Sequence, residues 1–109
     1  LQIPTTMPTL DEVVGSIGMD IPALIEYYRN AVSDELNILT VHAEIEGNRW
    51  TGFLEGFIGK IIEDGFMFRR LIDIAEENVD NPDVPVYSVE YGFVNGRAGE
   101  VCLQGRNPA

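Results

Sequence analysis

Between Arg49 and Glu63 the chain repeats large apolar residues at a spacing that two different backbones can use, and that choice fixes the architecture. Trp50, Phe53, Leu54, Phe57, Ile58, Ile61 and Ile62 recur at i, i+3 and i+4, as on one face of an amphipathic helix. Asn48 stands where a cap would, and Gly65 where such a helix would stop. Against the helix, Gly52, Gly56 and Gly59 lie in its interior, each about 1 kcal/mol worse than Ala. A strand also fits. A turn at Gly47-Asn48 sets Ile45 opposite Trp50, Val41 opposite Leu54 and Glu46 opposite Arg49, and the glycines then permit the sharp bending of a small barrel. The strand is the favoured reading. The helix is the alternative, with Gly52 and Gly56 open to a close contact with another helix.

Upstream the pattern is helical. Thr9 and Glu12 have capping-box spacing, Leu10, Val13, Val14 and Ile17 share one face, and Gly18 supplies a left-handed stop. Asp20 caps a second helix, predicted over roughly residues 20–34, with Pro22 tolerated in its first turn. Its apolar stripe is Ile21, Leu24, Ile25, Tyr28 and Val32. Residues 1–8, with two prolines and no basic-then-apolar leader pattern, read as an extended arm.

Period-two alternation follows. Leu39, Val41, Ala43 and Ile45 point one way, and Thr40, His42, Glu44 and Glu46 the other, as in a half-buried strand. Asp64-Gly65 is a hairpin signal between Ile61-Ile62 and Phe66–Phe68, although Met67, Phe68, Leu71, Ile72, Ala75 and Val79 also share a helical face. Residues 79–85 form a loop. Val86–Val94 reads as a strand, Asn95-Gly96 turns the chain, and Glu100–Gln104 returns. Residues 105–109 look like a tail. The predicted fold is a single α+β domain over 1–109. One or two N-terminal helices pack on a bent antiparallel sheet of about four to five strands, a small barrel or a cone-like sheet.

Val41, Ala43, Ile45, Gly47, Gly52, Leu54 and Phe57 have offsets that resemble the first motif of Sm-like barrels. Where that family carries an Asp and an Asn that contact RNA, this chain has Ile58 and Ile62. The resemblance therefore implies a bent-sheet architecture without implying RNA binding.

Charge narrows the partners. Eighteen acidic residues against seven basic ones give a net charge of −11. Such a field opposes nucleic acid and anionic membrane surfaces, so neither is expected as a partner. It favours solubility and leaves room for a basic protein partner. No apolar run approaches the roughly 20 residues of a membrane span. The lone Cys102, within Val101-Cys102-Leu103, cannot form an internal disulfide; it reads as a small buried hydrophobe in a reducing, cytoplasmic setting.

Candidate chemistry is sparse. His42 is the only histidine, and with Glu44 on the same strand face it makes a possible general base or pH-sensitive pair. The competing reading is an ordinary solvated strand face. Tyr28, Trp50 and Tyr91 join His42 and Glu44 as candidate ligand-binding residues for a small apolar or cationic compound, though buried rings explain Tyr28 and Tyr91 as simply. Glu76, Glu77, Asn78, Asp80, Asn81 and Asp83 gather oxygen donors near a loop without calcium-loop spacing, so no metal and no cofactor is expected. The apolar residues between Trp50 and Phe68 exceed what one small sheet face can bury, which points to a homo-oligomer, a dimer by preference. The expected function is a non-enzymatic acidic accessory protein that self-associates and binds a protein partner. The alternative is a small-ligand-binding domain, or a small enzyme, with an aromatic-lined apolar pocket.

Overall fold

A computed structural model describes residues 1–108 as α+β, with four helices and one two-stranded antiparallel sheet. The described chain divides into two compact units, one over Pro4–Phe68 and the other over residues 1–3 and 69–108.

The Pro4–Phe68 unit holds α1 (Leu10–Ile17), α2 (Ile21–Ala31) and α3 (Thr51–Glu63). The first two form where their caps and apolar spacing place them. Glu12 reaches back so that its carboxylate accepts from the Thr9 backbone N–H at 3.1 Å, and Gly18 ends α1 at φ 96°. Asp20 Oδ2 accepts from the Ala23 N–H at 3.0 Å, with Pro22 in the first turn of α2.

Residues 51–63 are helical, so the favoured strand reading is corrected. The α3 face Phe53, Phe57 and Ile61 packs on Leu24 and Tyr28 of α2, and Phe53 and Phe57 stack at 5.9 Å. The glycines explain the choice. A Cβ at Gly56 would lie 2.6 Å from Ile25 Cδ1, and one at Gly52 3.5 Å from Ile21 Cδ1. Of the three glycines that weaken α3 in isolation, Gly56 is therefore the one whose bare Cα the approach of α2 uses, whereas a methyl at Gly52 would make ordinary contact with Ile21. Leu10, Leu24 and Phe53 reach 0% exposure, each burial contributing about 1.5–3 kcal/mol and together outweighing the glycine penalty. The expected Asp64-Gly65 hairpin is instead a helix stop. Gly65 takes φ 91°, its N–H donates to Ile62 O, and the Phe66 N–H donates to Ile61 O, a Schellman closure. Arg29 binds Asp64 through two hydrogen bonds of 2.8 Å, tying the end of α2 to the end of α3.

The predicted strand over 39–46 is also absent. Residues 39–42 have no regular structure and 43–50 form consecutive turns. Nor do residues 4–8 form a free arm: Met7 is buried, and the Thr6 and Met7 N–H groups both donate to Ile38 O.

In the other unit, α4 (Leu71–Asn78) precedes a hairpin of β1 (Tyr87–Gly92) and β2 (Val101–Pro108). Tyr91 pairs with Cys102 and Val89 with Gln104, with an irregularity between Tyr87 and Val89. The expected tail is part of β2 as far as Pro108; Ala109 lies outside the described residues. Gly105 is buried because Ser88 Oγ and Ser88 O occupy the space a side chain would need. Two strands replace the predicted four or five, so neither a barrel nor a cone-like sheet forms among the described residues. Two segments with alternating polarity went to turns and helix instead. Cys102 is exposed, not the buried hydrophobe expected. No helix among the described residues is long and apolar enough to cross a membrane.

Candidate functional site

The sequence His42–Trp50 folds as a tight turn because three local interactions agree. The Ile45 and Glu46 N–H groups both donate to His42 O at 3.0 Å, and the Trp50 N–H donates to Ile45 O at 3.2 Å. Gly47 is required by close approach, since a Cβ there would collide with the Ala43 carbonyl. Glu46 then turns inward: it is 1% exposed, and its Oε2 accepts from the His42 backbone N–H at 2.8 Å.

Two buried atoms of this turn are left without a hydrogen-bond partner, Glu46 Oε1 and His42 Nδ1. An unsatisfied buried polar group costs about 1–3 kcal/mol, and more for a charged one. Both lie in one turn whose backbone bonds are already made. A half-buried imidazole, in a turn that a buried carboxylate fixes through the His42 backbone N–H, is a group that can give a proton to a bound molecule, which neither an exposed strand face nor an apolar core offers.

Tyr28 is packed beneath this region. Its ring contacts Phe53 and Phe57 at 5.2 and 5.7 Å, and its hydroxyl donates to Pro8 O at 2.9 Å. Burial, and after it the nearby charges of Tyr27, Glu46, Glu12 and Asp11, push the phenol well above its ordinary pKa of 10.0, so it stays a neutral donor. Glu46 thus borders both His42 and Tyr28.

The five candidate residues separate. Tyr28 and Trp50 are core side chains of the Pro4–Phe68 unit, Trp50 with the Arg49 guanidinium 5.6 Å from its ring centre. His42 is half-buried in the same unit, whereas Glu44 is exposed and not its partner. Tyr91 lies on β1 of the other unit and is 71% exposed, not buried by its ring as the simpler reading had it. The residue sequence reasoning missed is Glu46, assigned to a solvated face. The signal was available: His42 and Glu46 are four apart, one helical turn, with Gly47 directly after.

The loop carboxylates and amides are used locally. Glu77 pairs with Arg69, the Asp83 N–H donates to Asn81 Oδ1, and Asn78 donates to Ile74 O. Among the described residues no three His, Cys, Asp or Glu side chains gather as metal ligands.

No protein-family model matches the chain, and no solved structure matches it significantly. Two curated proteins do. Over 106 residues it is 34% identical to "Probable 4-deoxy-4-formamido-L-arabinose-phosphoundecaprenol deformylase ArnD" of Wigglesworthia glossinidia brevipalpis, covering 95% of this chain and 36% of that one. Over 105 residues it is 33% identical to the protein of the same name from Shewanella sediminis (strain HAW-EB3), covering 94% and 33%. These relatives are named for an enzymatic activity, which overturns the expectation of a non-enzymatic acidic accessory protein that binds a protein partner. Net charge and apolar segments misled because they report surface and packing, not chemistry. The chain spans about a third of the length of the curated relatives it matches.

Proposed function

We propose that this chain carries part of a deformylase that removes the formyl group from the nitrogen of a lipid-linked amino sugar. The observation that carries the reading is the similarity over nearly the whole chain to two proteins bearing one such name. The turn at His42 supports it chemically. Water adds to the formyl carbon, the carbon–nitrogen bond breaks, formate leaves, and the sugar amine must gain a proton. An amine is a poor leaving group unless that proton arrives as the bond breaks. His42 is the only histidine and sits in a turn fixed by a buried carboxylate on its backbone N–H, so in this reading it delivers that proton.

This proposal replaces the expected absence of a membrane partner with a substrate anchored in lipid. It keeps the chain in a reducing, cytoplasmic setting, supported by the exposed and unpaired Cys102. The test is formate release from a 4-formamido-L-arabinose phosphoundecaprenol substrate dispersed in detergent. Formate and free amine are expected in equal amounts, with the acetamido analogue as comparison. Failure to release formate from the formamido substrate contradicts the reading.

A further inference from the structure

Resting on the reading that the substrate is linked to a lipid, we propose that one face of the β1–β2 hairpin docks on the membrane that holds it. Val89, Tyr91 and Phe93 enter the interfacial layer, and Arg106 meets lipid phosphate.

The hairpin has a closed face and an open one. On the closed face β2 turns Val101, Leu103 and Gly105 inward. Leu103 Cδ1 lies 2.8 Å from where a Cβ on Gly92 would be, and Ser88 crowds Gly105, so the hairpin's own atoms fill this side. On the other face Tyr91 stands opposite the exposed Cys102, and Val89 opposite the exposed Gln104. Phe93, two residues past Tyr91, continues the alternation. Val89, Tyr91 and Phe93 are 65%, 71% and 76% exposed, so an apolar strip is presented to solvent while the opposite side is packed. A contiguous strip of this kind marks a binding surface.

Charge selects the partner. Residues 1–83 hold sixteen acidic and five basic residues and so carry the whole net charge of −11. Residues 84–109 hold two of each, Glu90 and Glu100 against Arg97 and Arg106, and are neutral. A polyprenyl phosphate places an anion at the bilayer surface. At physiological salt a field decays over about 8 Å, so an approaching surface meets local charge, repulsive over 1–83 and not over the hairpin. Arg29, Lys60, Arg69 and Arg70 are each bound to a carboxylate, and Arg49 lies against the Trp50 ring. Arg106 is exposed and, among the described residues, has no carboxylate partner. Tyr91 suits the same boundary, with an apolar ring and a polar hydroxyl. A protein partner would need the apolar strip but would set no such condition on charge.

Flotation on phosphatidylcholine vesicles, with and without undecaprenyl phosphate, tests the face. The wild-type chain is expected to float with both and to bind about 5-fold more strongly where the phosphate is present, the share of one basic side chain near an anionic surface. Arg106→Gln is expected to lose that preference. Val89→Ser, Tyr91→Ser and Phe93→Ser in one variant are expected to lower binding about 10-fold or more on both vesicles. Met67→Ser with Phe68→Ser removes apolar side chains exposed elsewhere and is expected to float as the wild type does. Cys102, the only cysteine, lets a polarity-sensitive dye be placed on the docking face of an otherwise unaltered chain, and its emission is expected to shift to the blue on vesicles. Absence of flotation, equal loss in the two serine variants, a preference that survives Arg106→Gln, or an unmoved dye on floated protein overturns the proposal. So does a dimer that the triple variant splits in light scattering without any flotation, which assigns the face to a second copy. Flotation needs no turnover. A chain that floats but releases no formate leaves the docking face standing while the deformylase reading falls, and one that releases formate without floating does the reverse.

Discussion

Single residues set the limits of this fold at three glycines. Gly56 and Gly59 are both interior to α3, yet only Gly56 faces α2. Gly59→Ala adds a methyl in open space and is expected to stabilise the chain by up to about 1 kcal/mol in urea melts, as Ala is the better helix former. Gly56→Ala must displace Ile25 Cδ1, the end of a flexible side chain, and is expected to gain less stability than Gly59→Ala or to lose some. A gain at Gly56 equal to or larger than that at Gly59 would contradict the contact with Ile25. Gly47 is a stricter case, because the atom in the way is backbone. Gly47→Ala is expected to loosen the 43–50 turn and, with it, the burial of Glu46. At Tyr28, replacement by Phe removes the donor to Pro8 O and is expected to cost about 0.5–1.5 kcal/mol.

At the level of elements, α2 and α3 are joined at their C-terminal ends by Arg29 and Asp64. The hydrogen bonds from Arg29 hold the Asp64 carboxyl below its ordinary 3.8, against the opposing effect of desolvation. A depressed folded value means that this stabilisation is complete above 3.8 and is lost as the pH falls through the lowered value. The difference in melting temperature between wild type and Asp64→Asn is therefore expected to be steady near neutral pH and to shrink in acid. A difference that grows in acid would contradict the pairing. These elements also show what the sequence could disclose. α1 and α2 were legible because cap, stripe and stop all agree within one segment: Thr9, Glu12 and Gly18 for the first, Asp20 and Leu24–Tyr28 for the second. α3 was not, because its glycines argue against a helix until the neighbour that needs them is known, and Ile25 is 31 residues away in sequence from Gly56. Period two over 39–46 failed for a related reason. Alternation reports which side chains are apolar, and the inward turn of Glu46 depends on hydrogen bonds to His42 that alternation does not encode. His42 could be picked out as the only imidazole; the four-residue spacing to Glu46 was there to be read, but the period-two pattern placed Glu46 on a solvated face.

Across the described residues, the buried apolar side chains are concentrated in the Pro4–Phe68 unit, and among the described residues of the other unit Ile74 is the one large apolar side chain that is fully buried. The hairpin there exposes Val89, Tyr91 and Phe93, and a two-stranded ribbon is marginal by itself in water. Amide hydrogen exchange is accordingly expected to be slowest in α2 and α3 and faster in β1 and β2. Equal protection in all four would contradict that distribution. The dimer expected from the sequence rested on Trp50–Phe68 having more apolar residues than one sheet face can bury. Trp50, Phe53, Phe57 and Ile61 find that burial within their own unit, while Ile62, Met67 and Phe68 of the same span stay exposed and are the side chains a dimer would use. The functional claim for the molecule comes down to one imidazole, and the most direct measurement is formate release by His42→Gln beside its thermal midpoint. The expected result is a loss of about 100-fold or more with the midpoint unchanged. Release close to the wild-type rate would show that His42 does not deliver the proton.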